Sequence, residues 1–178
     1  KTSSGFVGND FGDETAGSAS PVGAPSLNPT APSVIMTASE ALFDQAEAIQ
    51  RGWISGDAKQ AYLDGIESSF KYTGVANVDD ALTAYAAQDN VDWDAATDKI
   101  KLIITQKWAA LNQMSILTVY NDYRITGFPA VPISVYSGHK PKVPVRILYP
   151  QSEYNKNAKN VEAEGTIDPQ SSKVFWDK

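Results

Sequence analysis

Between Ser33 and Phe128 the 178-residue chain carries no proline, although ten occur elsewhere. Four of them (Pro21, Pro25, Pro29, Pro32) precede that stretch, and six (Pro129, Pro132, Pro141, Pro144, Pro150, Pro169) follow it. A proline inside a helix removes a backbone hydrogen bond, clashes with the preceding turn and costs roughly 3 kcal/mol. Long helices are therefore confined to the middle of the chain. Residues 1–33, rich in proline and glycine and without apolar periodicity, are predicted to be an irregular loop segment. The tail beyond Pro129 is predicted to be irregular too, with at most a short strand over 143–149.

Within the proline-free stretch the apolar residues repeat at helical spacing. Thr37 followed three residues later by Glu40 is a capping-box pattern, in which each side chain can satisfy a backbone N–H at a helix start. Leu42, Ala46, Ile49 and Trp53 then form one stripe, predicting a helix over 37–52 that buries Leu42 and Trp53. Asp57 after Gly56 can cap a second helix over 57–71, with Tyr62 and Ile66 inward. The short connection predicts an antiparallel hairpin. A short helical turn is expected over 79–87 and a long helix over 93–113, with Ile100, Ile104, Trp108 and Leu111 on its buried stripe. A further helix from Ser115 should end at Gly127, where a left-handed cap and Pro129 stop it. The bottom-up reading is thus mainly α, built of helix pairs joined by irregular loops.

Composition removes several function classes. With no cysteine there are no disulfides, thiolate zinc sites or cysteine nucleophiles. The net charge is −6 and no Lys/Arg cluster occurs, so nucleic acid is not an expected partner. No run of about 18 apolar residues is present to span a membrane. The chain opens on Lys1 without a Met, signal peptide or lipobox, so any targeting segment is expected upstream.

Several blocks, in order, resemble the SusD/RagB family. Ile35-Met36-Thr37, Glu40, Ala46-Glu47-Ala48, Arg51-Gly52-Trp53, Gly56-Asp57-Ala58, Tyr62, Gly65-Ile66 and Ser69 resemble that family's most recurrent helical block. Ile104, Gln106-Lys107-Trp108 and Ala110-Leu111 are similar to a later helix. Asp122, Arg124, Thr126-Gly127 and Pro129 follow, although Tyr120 stands where the family has Trp and Ile125 where it often has Arg. Pro144, Arg146, Tyr149-Pro150, Glu153, Asn157 and Asn160 match the usual ending, and Val174 to Lys178 its terminal block. The resemblance implies a mainly α, SusD-like fold with tetratricopeptide-like helix pairs and long irregular loops. It makes residues 34–178 the C-terminal helical part of a longer domain. It further implies a lipoprotein on the outer-membrane surface of a Gram-negative bacterium, held only by a lipid anchor upstream of this chain. There it would bind an oligosaccharide or similar nutrient together with a SusC-like TonB-dependent transporter. The family's principal glycan site is expected upstream of this stretch.

Catalytic readings are weaker on residue grounds. His139, the lone histidine, lies in a turn-like Ser-Gly-His-Lys-Pro stretch, whereas a triad needs three converging groups. A glycosidase needs two carboxylates at set separations across a cleft. The acid pairs here (Asp79 with Asp80, Asp92 with Asp94, Asp44 with Glu47, Glu162 with Glu164) are sequence neighbours, explained more simply as helix-start and surface charges. The oxygen-rich Asn9 to Glu14 lacks the alternation of a calcium loop. No enzyme activity, metal or cofactor is expected. Aromatic side chains can stack on the apolar faces of sugar rings while polar neighbours bond the hydroxyls. Trp53 and Trp108 fall on helix stripes and read as core, and Trp176 as a docking residue of the tail. Tyr85 and Trp93 flank the polar Gln88-Asp89-Asn90 loop and are the candidate ligand-binding residues. The alternatives are a glycan-acting enzyme fragment and a helical scaffold with no small-molecule ligand.

Overall fold

The computed structural model describes residues 7–14, 20, 29–30, 33–112, 114–140 and 142–175. Most of the predicted 1–33 loop segment, and the docking of Trp176, lie outside the described residues. Among the described residues the chain forms helices and no strand: α1 Ala38–Gln50, α2 Ala58–Thr73, α3 Val78–Ala86, α4 Lys99–Leu111, α5 Ile116–Thr126, α6 Gln151–Lys156 and α7 Ala158–Ala163. Two compact units result, one of Val22–Ala130 holding α1 to α5, the other of Lys1–Pro21 with Val131–Lys178 holding α6 and α7.

The mainly α character and the first helix pair are as predicted. Thr37 caps α1, its hydroxyl accepting from the Glu40 backbone N–H at 3.0 Å. The reciprocal half of the box is not made. The Glu40 carboxylate instead accepts from the Thr118 hydroxyl at 3.1 Å and is buried against the fold. Asp57 caps α2 through the Gln60 N–H at 3.0 Å, and Gly74 closes it in the left-handed conformation. The Ser39 hydroxyl donates to the Gly65 carbonyl at 2.8 Å, and Ile49 lies against Gly56 at the other end, so the two helices run antiparallel.

Their contact is centred on Phe43, Ala46, Ala61, Tyr62 and Ile66, joined by Val91, Leu102, Ile103 and Ala110. Phe43 and Tyr62 are fully buried and meet edge to face, ring centroids 6.1 Å apart. This approach depends on Gly65: a Cβ there would stand 3.0–3.1 Å from the Phe43 ring. Gly65→Ala gains about 1 kcal/mol of helix propensity, but overpacking a buried ring costs typically 1–3 kcal/mol. The expected result is a net loss of about 1 kcal/mol in denaturant melts, abolished when Phe43 is first shortened to Leu.

Three burial expectations fail. Trp53 is 72% exposed. α1 stops at Gln50, and Gly52 at φ +74° turns the chain, so the stripe does not extend to residue 53. Leu42 is only half-buried; its neighbour Phe43 takes the core position. Trp108 is also half-buried, because α4 turns Leu102, Ile103, Gln106, Lys107 and Ala110 inward. Tyr62 is buried as predicted. α4 also begins later than predicted: Asp98 caps it through the Lys101 N–H at 2.9 Å, while Asp92 turns back on the Asp94 N–H at 2.8 Å.

In the other unit residues 143–149 form no strand; the Val145 N–H donates to the Pro169 carbonyl at 2.7 Å. Helices α6 and α7 were not anticipated in the tail. Asn157 joins them: its amide donates to Glu153 at 2.8 Å and its oxygen accepts from Asn160 at 2.5 Å.

Candidate functional site

Tyr85 lies in the last turn of α3, not in the loop behind it. Its ring meets Phe70 edge to face at 5.3 Å, and its hydroxyl donates to the buried Gln106 side chain at 2.9 Å. Burial raises the phenol above its usual pKa, with the Gln106 bond acting in the opposite sense. Trp93 lies in the turns between α3 and α4. Its ring tilts onto Tyr62 at a centroid distance of 5.3 Å. The Lys99 ammonium sits 5.4 Å from the Trp93 ring and donates to the Trp93 and Ala96 carbonyls, fixing the turn from outside. Both candidate aromatics are half-buried and packed against the core, so each has one side committed to structure and only the remainder available to a ligand.

Gln88, Asp89 and Asn90 between them are exposed, whereas Val91 is buried in the core. Asp89 and Asn90 form one wall of a cleft of about 300 Å³, completed by Ala96, Thr97, Asp98, Lys101, Leu102 and Thr105. Hydroxyl, amide, carboxylate and ammonium groups converge there, a set suited to a polyhydroxylated ligand. Neither Tyr85 nor Trp93 lines this cleft.

A second cleft in the same unit, about 380 Å³, escaped the sequence reading. Val34, Ile35, Met36, Tyr72, Ala110 and Met114 give it an apolar floor, with hydroxyls from Ser33, Ser68 and Ser69 at its edge. Its signal was slight: Ile35 and Met36 precede the helix cap and belong to no stripe, and Tyr72 falls outside the buried face of α2.

The residues weighed for catalysis are not brought together. His139 is exposed, its Nδ1 2.5 Å from the Tyr136 carbonyl within its own turn. Asp44 is paired with Lys107 and Asp94 with Lys59. Among the described residues no three His, Cys, Asp or Glu side chains are grouped to hold a metal ion. No described helix is long and apolar enough to cross a membrane.

A family model described as SusD-like, starch-binding and associating with the outer membrane, matches residues 1–150. No curated protein matches significantly. Among solved structures the chain is similar to a SusD homologue from Bacteroides fragilis, with 29% identity, a TM-score of 0.67, and coverage of 83% of this chain and 35% of that one. A SusD homologue from Bacteroides thetaiotaomicron gives 26% identity and a TM-score of 0.67, covering 84% of this chain and 39% of the other. A chitin-binding SusD homologue from Flavobacterium johnsoniae gives 30% identity and a TM-score of 0.62, covering 81% and 36%. The chain spans little more than a third of the length of these homologues. Because the match extends over residues 1–150 and the helical arrangement is shared with these structures, the chain belongs to the SusD-like family.

Proposed function

We propose that this chain is part of a cell-surface nutrient-binding protein that captures an oligosaccharide at the outer membrane without cleaving it and passes it to a SusC-like TonB-dependent transporter. The observation carrying this reading is the family match over residues 1–150, to a family described as starch-binding and outer-membrane-associated. The chitin-binding homologue supports glycan as the ligand class. Among the described residues the weighed acid pairs form no facing couple: Asp44 and Asp94 are paired with lysines, Glu47 with Arg51, Asp92 accepts from the Asp94 N–H, and the others are exposed neighbours. On this reading residues 34–178 are the helical part of a longer domain, attached to the membrane through a lipid anchor outside this chain.

On this chain the glycan contact we propose is with the half-buried Trp93 and Tyr85, which flank the exposed Gln88-Asp89-Asn90 loop in the sequence. Stacking contributes roughly 0.5–1.5 kcal/mol per aromatic contact. Trp93→Ala should weaken oligosaccharide binding by about 1–2 kcal/mol, a few- to thirtyfold. The packing of Trp93 on Tyr62 means that the same substitution also lowers stability. Calorimetric titrations are therefore run well below the melting midpoint, with Tyr72→Ala in the apolar cleft as comparison. Unchanged affinity in Trp93→Ala would remove the aromatic pair from the site, and weakening in Tyr72→Ala alone would move it to the second cleft.

A further inference from the structure

The cleft beside the 88–90 turn has a base unlike its rim. Leu102, 7% exposed, and Ala96, packed against the core cluster, form that apolar base. Everything around it is polar. Asp89 and Asn90 stand on one side, and Thr97, Asp98, Lys101 and Thr105 complete the rim. Exposed polar side chains are ordinary by themselves. A concave rim of them around an apolar base is the make-up of a small-molecule site, and the volume of about 300 Å³ is at the lower end for such sites. The occupant is therefore a small group.

The Asp89–Asn90 side is held in place before any ligand arrives. The Gln88 carbonyl accepts from the Val91 and Asp92 N–H groups, both at 2.8 Å. Val91 is fully buried, and its carbonyl accepts from the Tyr62 hydroxyl at 2.7 Å. The turn is thus anchored from below, and a wall fixed in advance loses little freedom on binding. Asp89 and Asn90 are exposed, and among the described residues neither side chain is engaged by another group. On the other side Asp98 uses one carboxylate oxygen on the Lys101 N–H, and the Thr105 hydroxyl donates to the Lys101 carbonyl at 2.7 Å, so that its oxygen is left to accept.

This chemistry narrows the ligand. Two carboxylates against one ammonium disfavour an anionic sugar. A sugar carrying only hydroxyls leaves the apolar base without a partner, and a free amino sugar satisfies the carboxylates but not the base. An acetamido group matches the whole lining: its N–H donates to a carboxylate, its carbonyl accepts from the Asn90 amide, and its methyl covers Leu102 and Ala96. We propose that this cleft takes the acetamido group of an N-acetylated amino sugar, as a site apart from Tyr85 and Trp93, neither of which lines it. The proposal rests on the capture reading above.

The test titrates the full-length protein that contains this chain, by calorimetry, with three β-1,4-linked trisaccharides: those of N-acetylglucosamine, glucosamine and glucose. The wild type is expected to bind the N-acetylated trimer at least tenfold more tightly than the other two, because a site built to bond a substrate group rejects an analogue that lacks it. Asp89→Ala together with Asn90→Ala should bring the three affinities to within about twofold of one another while leaving the urea melt unchanged, since both positions are exposed. Asn90→Asp keeps the shape of the turn and removes the donor; it should weaken the N-acetylated trimer and not the glucosamine trimer. Equal wild-type affinities, or tightest binding of glucosamine or glucose, would overturn the acetamido assignment and leave capture standing. A wild-type preference that survives in both variants would overturn the cleft as its location. Saturable binding of no oligosaccharide at all would overturn the capture reading, and this proposal with it.

Discussion

Lys107→Met should lower the unfolding free energy of the chain by about 3 kcal/mol, the range measured when one partner of a buried ion pair is removed. Lys107 retains only 4% side-chain exposure and lies between Asp44 of α1 at 2.7 Å and Asp122 of α5 at 2.9 Å. Burial by itself would lower its pKa, but hydrogen bonds to Asp44 and Asp122 outweigh it and hold the ammonium above its usual 10.5. Asp122 is shifted upward by its own burial, with Lys107 pulling the other way and Glu47 and Asp44 adding repulsion. The two shifts point in opposite directions for stability: Lys107 gains from the pair, whereas the Asp122 carboxylate is crowded and tolerated because Lys107 is present. Without the ammonium both aspartates are left facing each other and Glu47. Since the folded-state pKa of Lys107 is raised, its contribution is complete below pH 10.5 and is lost as pH rises through the folded value. Urea melts of wild type and Lys107→Met should therefore differ at neutral pH and converge in strongly alkaline solution. Lys59→Met, which breaks the exposed pair with Asp94, should leave the urea melt essentially where the wild type has it, because solvent screens that pair.

Tyr62→Ala should cost about 3–5 kcal/mol, as expected for truncating a buried aromatic side chain. Tyr62 is fully buried, meets Phe43 edge to face and supports the Trp93 ring. Its hydroxyl donates to the Val91 carbonyl at 2.7 Å, fixing the turn that leads to Trp93. Tyr62→Phe separates the two roles. It keeps the packing but leaves a buried carbonyl without its donor, at about 1–2 kcal/mol. Thermal melts of the two variants should rank accordingly; equal losses would show that the hydroxyl, not the ring, carries the stabilisation.

What was legible in the sequence follows the reach of local rules. Caps at Thr37 and Asp57 and stops at Gly74 and Gly127 depend on backbone geometry within a few residues, and each is found where it was read. The positions that went wrong depend on which side of a helix meets a partner. The α1 stripe holds at Ala46 and Ile49 but misses at Leu42, where the adjacent apolar Phe43 takes the core position with its ring against Gly65. Trp53 was given a core role by spacing alone, yet it follows the Gly52 turn. On α4 the buried centre is a lysine, which no hydrophobic pattern marks; its partners lie 63 positions before it and 15 after it in the chain. The candidate aromatics Tyr85 and Trp93 were chosen for bracketing a polar loop. The loop is where it was expected, but the anchoring of both rings on the core was hidden, because Phe70, Gln106 and Tyr62 come from other helices.

Capture without cleavage is open to a direct binding test. The full-length protein that contains this chain is titrated calorimetrically with chitin and starch oligosaccharides, and the sugar recovered afterwards is sized by chromatography. Saturable binding of at least one oligosaccharide is expected, with all of it recovered at its original length. Shortened products, or no saturable binding to either series, would contradict it.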